Sequence, residues 1–87
     1  MTNIFAAEHT ISLISDRAPR AMSAYFLCLY AETVSGKIVF DRDFITHTAI
    51  KSWTKFKNDI RTLSRLFILN YEDRGKVIEI EMISEDD

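Results

Sequence analysis

From Trp53 onward the apolar positions keep a regular beat. Trp53, Phe56, Ile60, Leu63 and Phe67 are spaced by three, four, three and four residues. That rhythm predicts a helix with one buried stripe, starting after Lys51 or Ser52. Thr54, Lys55, Asn58, Arg61, Thr62 and Arg65 fall on the remaining surface, with Lys51 and Lys57 at its margins. The period then shortens to two. Ile78, Ile80 and Met82 alternate with Glu79 and Glu81, which predicts a half-buried strand over Lys76 to Ile83. A first strand is expected over Phe67 to Tyr71. Asp73-Arg74-Gly75-Lys76 then forms the hairpin turn, because Gly tolerates the positive φ of tight turns.

Upstream the signals vary in strength. In residues 1–15, Ile4 and Phe5 are placed to pack on the core. His9 to Ile14 reads either as a short strand or as part of a helix running from Ile4. Asp16 is read as the N-cap of a first helix, with Pro19 at an early position that needs no amide donor. Met22, Phe26, Leu29 and Tyr30 recur on that helix at helical spacing beside Tyr25 and Cys28, and Ser35-Gly36 ends it. Lys37 to Phe40 is a short strand by propensity. Asp41 caps a second helix, Arg42 to His47, which buries Phe44 and Ile45. Thr48 to Ile50 makes a turn with Ile50 inside.

The resulting fold class is α+β: a three-helix core, a short strand between helices 1 and 2, and a C-terminal β-hairpin. This order, with a basic third helix, resembles the winged helix-turn-helix family over about residues 16 to 83. Phe44-Ile45 resembles the start of the family's second helix. Phe56, Ile60 and Leu63 resemble the core positions of its third, and Leu66-Phe67-Ile68-Leu69 its approach to the hairpin. Two departures stand out. The family often has Gly before the first hairpin strand, where this chain has Leu66-Phe67, and the turn before helix 3 lacks Gly as well. The resemblance implies a DNA-binding role.

The 87 residues make one small domain, 1–87, with a disordered acidic tail expected at 84–87. Two Gly and one Pro favour helices with short connections. The single cysteine, Cys28, permits no internal disulfide and suits a reducing compartment. The sequence has neither the pattern of a secretory signal nor a run long enough to span a bilayer, so a cytoplasmic protein without membrane contact is expected. Net charge is −2, but it is unevenly spread. Residues 51–65 carry five basic residues against Asp59, a net of +4, while residues 72–87 carry two against seven acids, a net of −5.

This concentration of charge makes the exposed side of helix 3 the candidate site. A helix fits the major groove, where Arg or Lys reads guanine and Asn reads adenine. Lys51, Thr54, Lys55, Asn58, Arg61, Thr62 and Arg65 are the candidate contacts. Arg74 and Lys76 at the hairpin tip reach toward the flank. Arg17, Arg20 and Arg42 open helices, but Asp16, Asp41 and Asp43 beside them read more simply as caps and dipole partners. No catalytic triad, metal-ligand set or cofactor motif accompanies His9, His47 or Cys28, so neither an enzyme nor a metal or cofactor is expected. The function expected is a sequence-specific double-stranded DNA-binding regulator of transcription or replication, of the kind phages and plasmids encode. The alternative is a protein-interaction module on the same fold, docking a partner through helix 3 or the acidic last strand. That strand also offers an edge for a homodimer.

Overall fold

The structure is a computed structural model that describes residues 4–83, with side chains from residue 8 onward. Four helices and three strands follow in the order α1 (Ile4–Arg17), α2 (Met22–Ser35), β1 (Ile38–Asp41), α3 (Arg42–Thr46), α4 (Trp53–Arg65), β2 (Leu69–Asp73) and β3 (Val77–Met82). A short 3-10 turn, Pro19–Ala21, joins α1 to α2. The strands form one antiparallel sheet in the order β1-β3-β2, so the last strand is central and paired on both sides, and the free edge expected of it for a homodimer does not exist. Ile38 and Leu69 flank the β3 residues Ile80 and Met82 on the inner side, and Phe40 pairs with Ile78. This face packs on the helices. Val39, Asn70, Glu72, Glu79 and Glu81 take the alternate positions on the other face.

The α4 stripe is core as expected through Leu63. Phe56, Ile60 and Leu63 are fully buried, and each such burial contributes roughly 1.5–3 kcal/mol. The Phe56 ring meets Phe40 edge-on at 5.3 Å and stacks on half-buried Trp53 at 5.9 Å. Phe67 leaves the stripe. It is 81% exposed, and the helix has already stopped at Arg65. The Ile68 N–H donates to the Leu63 carbonyl at 3.2 Å and the Phe67 N–H to the Ser64 carbonyl at 3.0 Å. That paired closure turns the chain outward and sets Phe67 at φ 61°, a left-handed position that usually falls to Gly. β2 therefore begins at Leu69 rather than Phe67.

Three further expectations change. Residues 4–17 form a helix throughout, so Asp16 lies in its last turn and caps nothing; Ala18 precedes the 3-10 turn without a side-chain cap. Three helices thus become four. On α2 two of the expected core residues turn outward: Phe26 and Tyr30 are exposed, while Ala24, Tyr25 and Cys28 are buried and Met22 and Leu29 are half-buried against the core. Small residues on the inner side allow close approach to the neighbouring elements, and that contact orients the helix. Phe44 is half exposed, although its ring stacks on Phe40 at 5.9 Å. The Asp41 cap holds, its Oδ1 accepting from the Phe44 N–H at 2.7 Å. Gly36 closes α2 at φ 73°. The tail at 84–87 lies outside the described residues, as do the side chains of Ile4 and Phe5. Among the described residues no helix is long and apolar enough to cross a membrane.

Candidate nucleic-acid interface

α4 is positioned from both ends. The turn before it is wound by Thr48, whose hydroxyl donates to the Ile45 carbonyl at 2.7 Å and accepts from the Ile50 N–H at 3.2 Å. Lys51 then takes φ 61°, the second position where a Gly would be at ease. Ser52 caps the helix, its Oγ accepting from the Lys55 N–H at 3.1 Å. The start of α4 is thus fixed with Lys51 exposed beside its first turn.

The polar residues of α4 divide into an outer row and two margins. Thr54, Asn58, Arg61 and Arg65 follow at intervals of four, three and four, and all are exposed. Beside them half-buried Thr62 donates its hydroxyl to the Asn58 carbonyl at 3.0 Å. Among the described residues no carboxylate pairs with Lys51, Arg61, Arg65 or Lys76. The charges of Lys51, Arg65 and Lys76 are available to a ligand, while that of Arg61 also helps to hold the Asp73 carboxyl down.

The margins spend their charge inside the protein. Lys55 turns toward the 3-10 turn, where Nζ lies 2.7 Å from Asp59 Oδ2 and donates to the Arg20 carbonyl at 3.3 Å. Asp59 is 8% exposed, the one buried charged residue among those described. Lys57, on the opposite margin, lies 2.8 Å from Asp73 Oδ2 and 5.7 Å from the Trp53 ring centroid. Trp53 Nε1 donates to the Gly75 carbonyl at 2.9 Å. The hairpin tip is therefore strapped to the first turns of α4. The Asp73 carboxyl is held below its ordinary value, chiefly by the Lys57 hydrogen bond and next by the Gly75 N–H at 2.8 Å.

The tip is weak in positive charge, as Glu72 and Asp73 beside Arg74 in the sequence already suggest. Arg74 lies 3.3 Å from Glu72 and 3.2 Å from Glu79. These glutamates face each other across β2 and β3, and Arg74 relieves their repulsion. Lys76 keeps its charge. Thus Thr54, Asn58, Arg61 and Arg65 share one exposed row of α4, Lys51 stands exposed just before its first turn, Lys76 is exposed at the hairpin, and Lys55 and Arg74 are engaged elsewhere. Trp53 and Lys57 carry the strap; contacts to Gly75 and Asp73 at such sequence separation leave no local signal, whereas the Lys55–Asp59 pair is readable from its four-residue spacing.

The outer sheet face offers little chemistry. It carries an open depression of about 350 Å³ lined by Asn70, Tyr71, Glu72, Glu79, Ile80 and Glu81. Among the described residues no cluster of three His, Cys, Asp or Glu could hold a metal. Cys28 is buried, and burial, aided by the Glu32 charge, pushes its thiol up to about 12. Its side chain belongs to the core packing. Comparison with protein-family models, with curated proteins and with solved structures finds no match.

Proposed function

We propose that this chain is a winged helix-turn-helix protein that binds double-stranded DNA in a sequence-specific way, as a regulator of transcription or replication. The observation that carries the reading is the outer row of α4, with two unpaired guanidinium groups, an amide and a hydroxyl on one exposed face. A major groove accepts a helix of this width. Arg61 or Arg65 can donate two bonds to guanine, and Asn58 can bond adenine bidentately. Thr54 and Lys51 lie at the helix start, where hydroxyl, ammonium and free backbone N–H groups suit a phosphate. The strand order β1-β3-β2, and the hairpin strapped beside α4, support the family reading.

Binding to genomic fragments in a gel shift at two salt concentrations tests this. The proposal predicts retarded bands at low salt that weaken as salt rises. No band at low salt ends it. A second reading has its own observation: with Arg74 committed to Glu72 and Glu79, the positive surface is broken at the tip. That favours a protein partner, which a nuclease-treated pull-down would retain.

A further inference from the structure

The hairpin tip sets one carboxylate against the flank of the α4 outer row. Asp73 Oδ2 lies 2.8 Å from Lys57 Nζ, and Asp73 Oδ1 accepts from the Gly75 N–H at 2.8 Å. Lys57 lies three residues after Thr54 and four before Arg61, the spacings at which side chains on a helix are neighbours. The Arg61 charge also falls on the Asp73 carboxyl. An ammonium, a backbone N–H and a nearby guanidinium thus converge on one anion. Those are the donors that hold phosphate oxygens. The pair is open to a competitor, since the Lys57 and Asp73 side chains are 25% and 33% exposed. Nor does the tip depend on this charge alone, because Trp53 Nε1 holds the Gly75 carbonyl separately at 2.9 Å.

We propose that Lys57 is a further phosphate contact of the duplex site and that Asp73 masks it, as a resident carboxylate that a backbone phosphate replaces. The inference rests on the DNA-binding reading of α4 and extends it to a residue outside the outer row. Masking weakens the contact without removing it. A bare lysine neutralises a phosphate and releases its counterion, whereas Lys57 exchanges one anion for another. The exchange lowers the part of the affinity that is independent of sequence. It leaves Asn58, Arg61 and Arg65 free to read bases, so the ratio of specific to non-specific binding rises. Asp73 is therefore a residue that sets affinity, and the Trp53 bond keeps the hairpin beside α4 while the carboxylate is displaced.

The test is duplex affinity against salt for wild type, Asp73→Asn, and Asp73→Asn combined with Lys57→Gln. Asp73→Asn keeps an oxygen that can accept from the Gly75 N–H and removes only the charge. It binds several-fold more tightly at low salt, and its logarithmic salt slope steepens by about one unit, the share of one added phosphate contact. Adding Lys57→Gln returns affinity and slope to the wild-type range. Glu81→Gln makes the same charge change on the outer sheet face and leaves the slope as in wild type. A purely structural Asp73 gives the opposite sign, since Asp73→Asn then loosens the hairpin and weakens binding. A second titration uses inorganic phosphate alone: the Gly75 amide resonance of Asp73→Asn shifts at phosphate concentrations that leave wild type unmoved. Three results overturn the proposal: Asp73→Asn that binds duplex no more tightly than wild type, a gain that survives Lys57→Gln, or equal responses of the two chains to phosphate. Wild type that binds no duplex ends the DNA reading instead, and the phosphate titration then decides by itself whether Asp73 masks an anion site.

Discussion

α4 and α2 are nearly equal in length, 13 and 14 residues, and they pack against each other, yet they divide their surfaces by opposite rules. α4 puts its large apolar residues inward and its cations outward. α2 puts Ala24, Cys28 and one ring inward and leaves Phe26, Tyr30 and Val34 outside. The core therefore needs α4 for volume and α2 for closeness. Outside, α4 suits a polar, anionic ligand and α2 suits an apolar one. Apolar character alone does not mark the inner face of a helix; side-chain size against the neighbouring element decides it.

The sharpest way to break this contrast is to remove a large ring from each helix. Phe56→Ala empties a fully buried site against Phe40 and Trp53, and should cost about 3–5 kcal/mol in urea unfolding. That is comparable to the whole stability of many small domains, so the variant is expected to be largely unfolded. Tyr30→Ala removes a ring of similar size from solvent and should change monomer stability by less than about 0.5 kcal/mol. Equal losses would mean that α2 is oriented differently.

Next come the two residues that hold left-handed backbone without being Gly. Lys51 and Phe67 both sit at φ 61° and both are exposed. Lys51→Gly and Phe67→Gly should each raise stability by about 1 kcal/mol, read as a higher melting temperature. The local backbone keeps a conformation suited to Gly while the side chain is something else. Lys51 adds charge beside the α4 start; nothing in the structure explains Phe67.

The strap between α4 and the hairpin gives a smaller effect. Trp53→Phe keeps the ring stack on Phe56 and removes the indole N–H bonded to Gly75. It should cost about 0.5–1.5 kcal/mol, with faster amide exchange at the hairpin tip than in the α4 centre. Asp73 makes the same strap pH-sensitive. Its carboxyl is lowered from 3.8 in the folded chain, so its contribution is complete above that value and is lost as pH falls through the folded pKa. The Gly75 amide resonance should titrate below pH 3.8 and follow Asp73, and should cease to do so in Asp73→Asn.

Much of α4 was legible because its period is strong from Trp53 to Leu63 and it begins directly after Ser52, one of the two expected starts; the Ser52 cap itself was not read from the sequence. The same period misled at Phe67. Spacing carries no stop signal, and the usual one, Gly, is missing. α1 was obscure because Ile11, Leu13 and Ile14 fit a strand or a helix equally. The α2 face was read one residue position askew: Met22 and Leu29 pack on the core as expected, but Tyr25 and Cys28 lie at its centre and Phe26 and Tyr30 turn outward. At the candidate site the outer row followed from geometry, while the fates of Arg74 and Lys57 depended on how β2 and β3 align and on where the hairpin tip rests.

The outer row of α4 is the central claim, and the slope of duplex affinity against salt for wild type and Arg61→Ala tests it most directly. Arg61 is exposed and makes no ion pair among the described residues, and its field is the least of the causes that lower Asp73, so the substitution should change the unfolding curve only slightly. Affinity should fall by about 1–3 kcal/mol if Arg61 reads a guanine; if it holds a phosphate, the logarithmic salt slope should shrink by about one unit. Arg74→Ala, removing a cation already held by two glutamates, should do neither. Wild-type binding with Arg61→Ala unchanged in both affinity and slope, or no salt-dependent binding at all, would contradict the account.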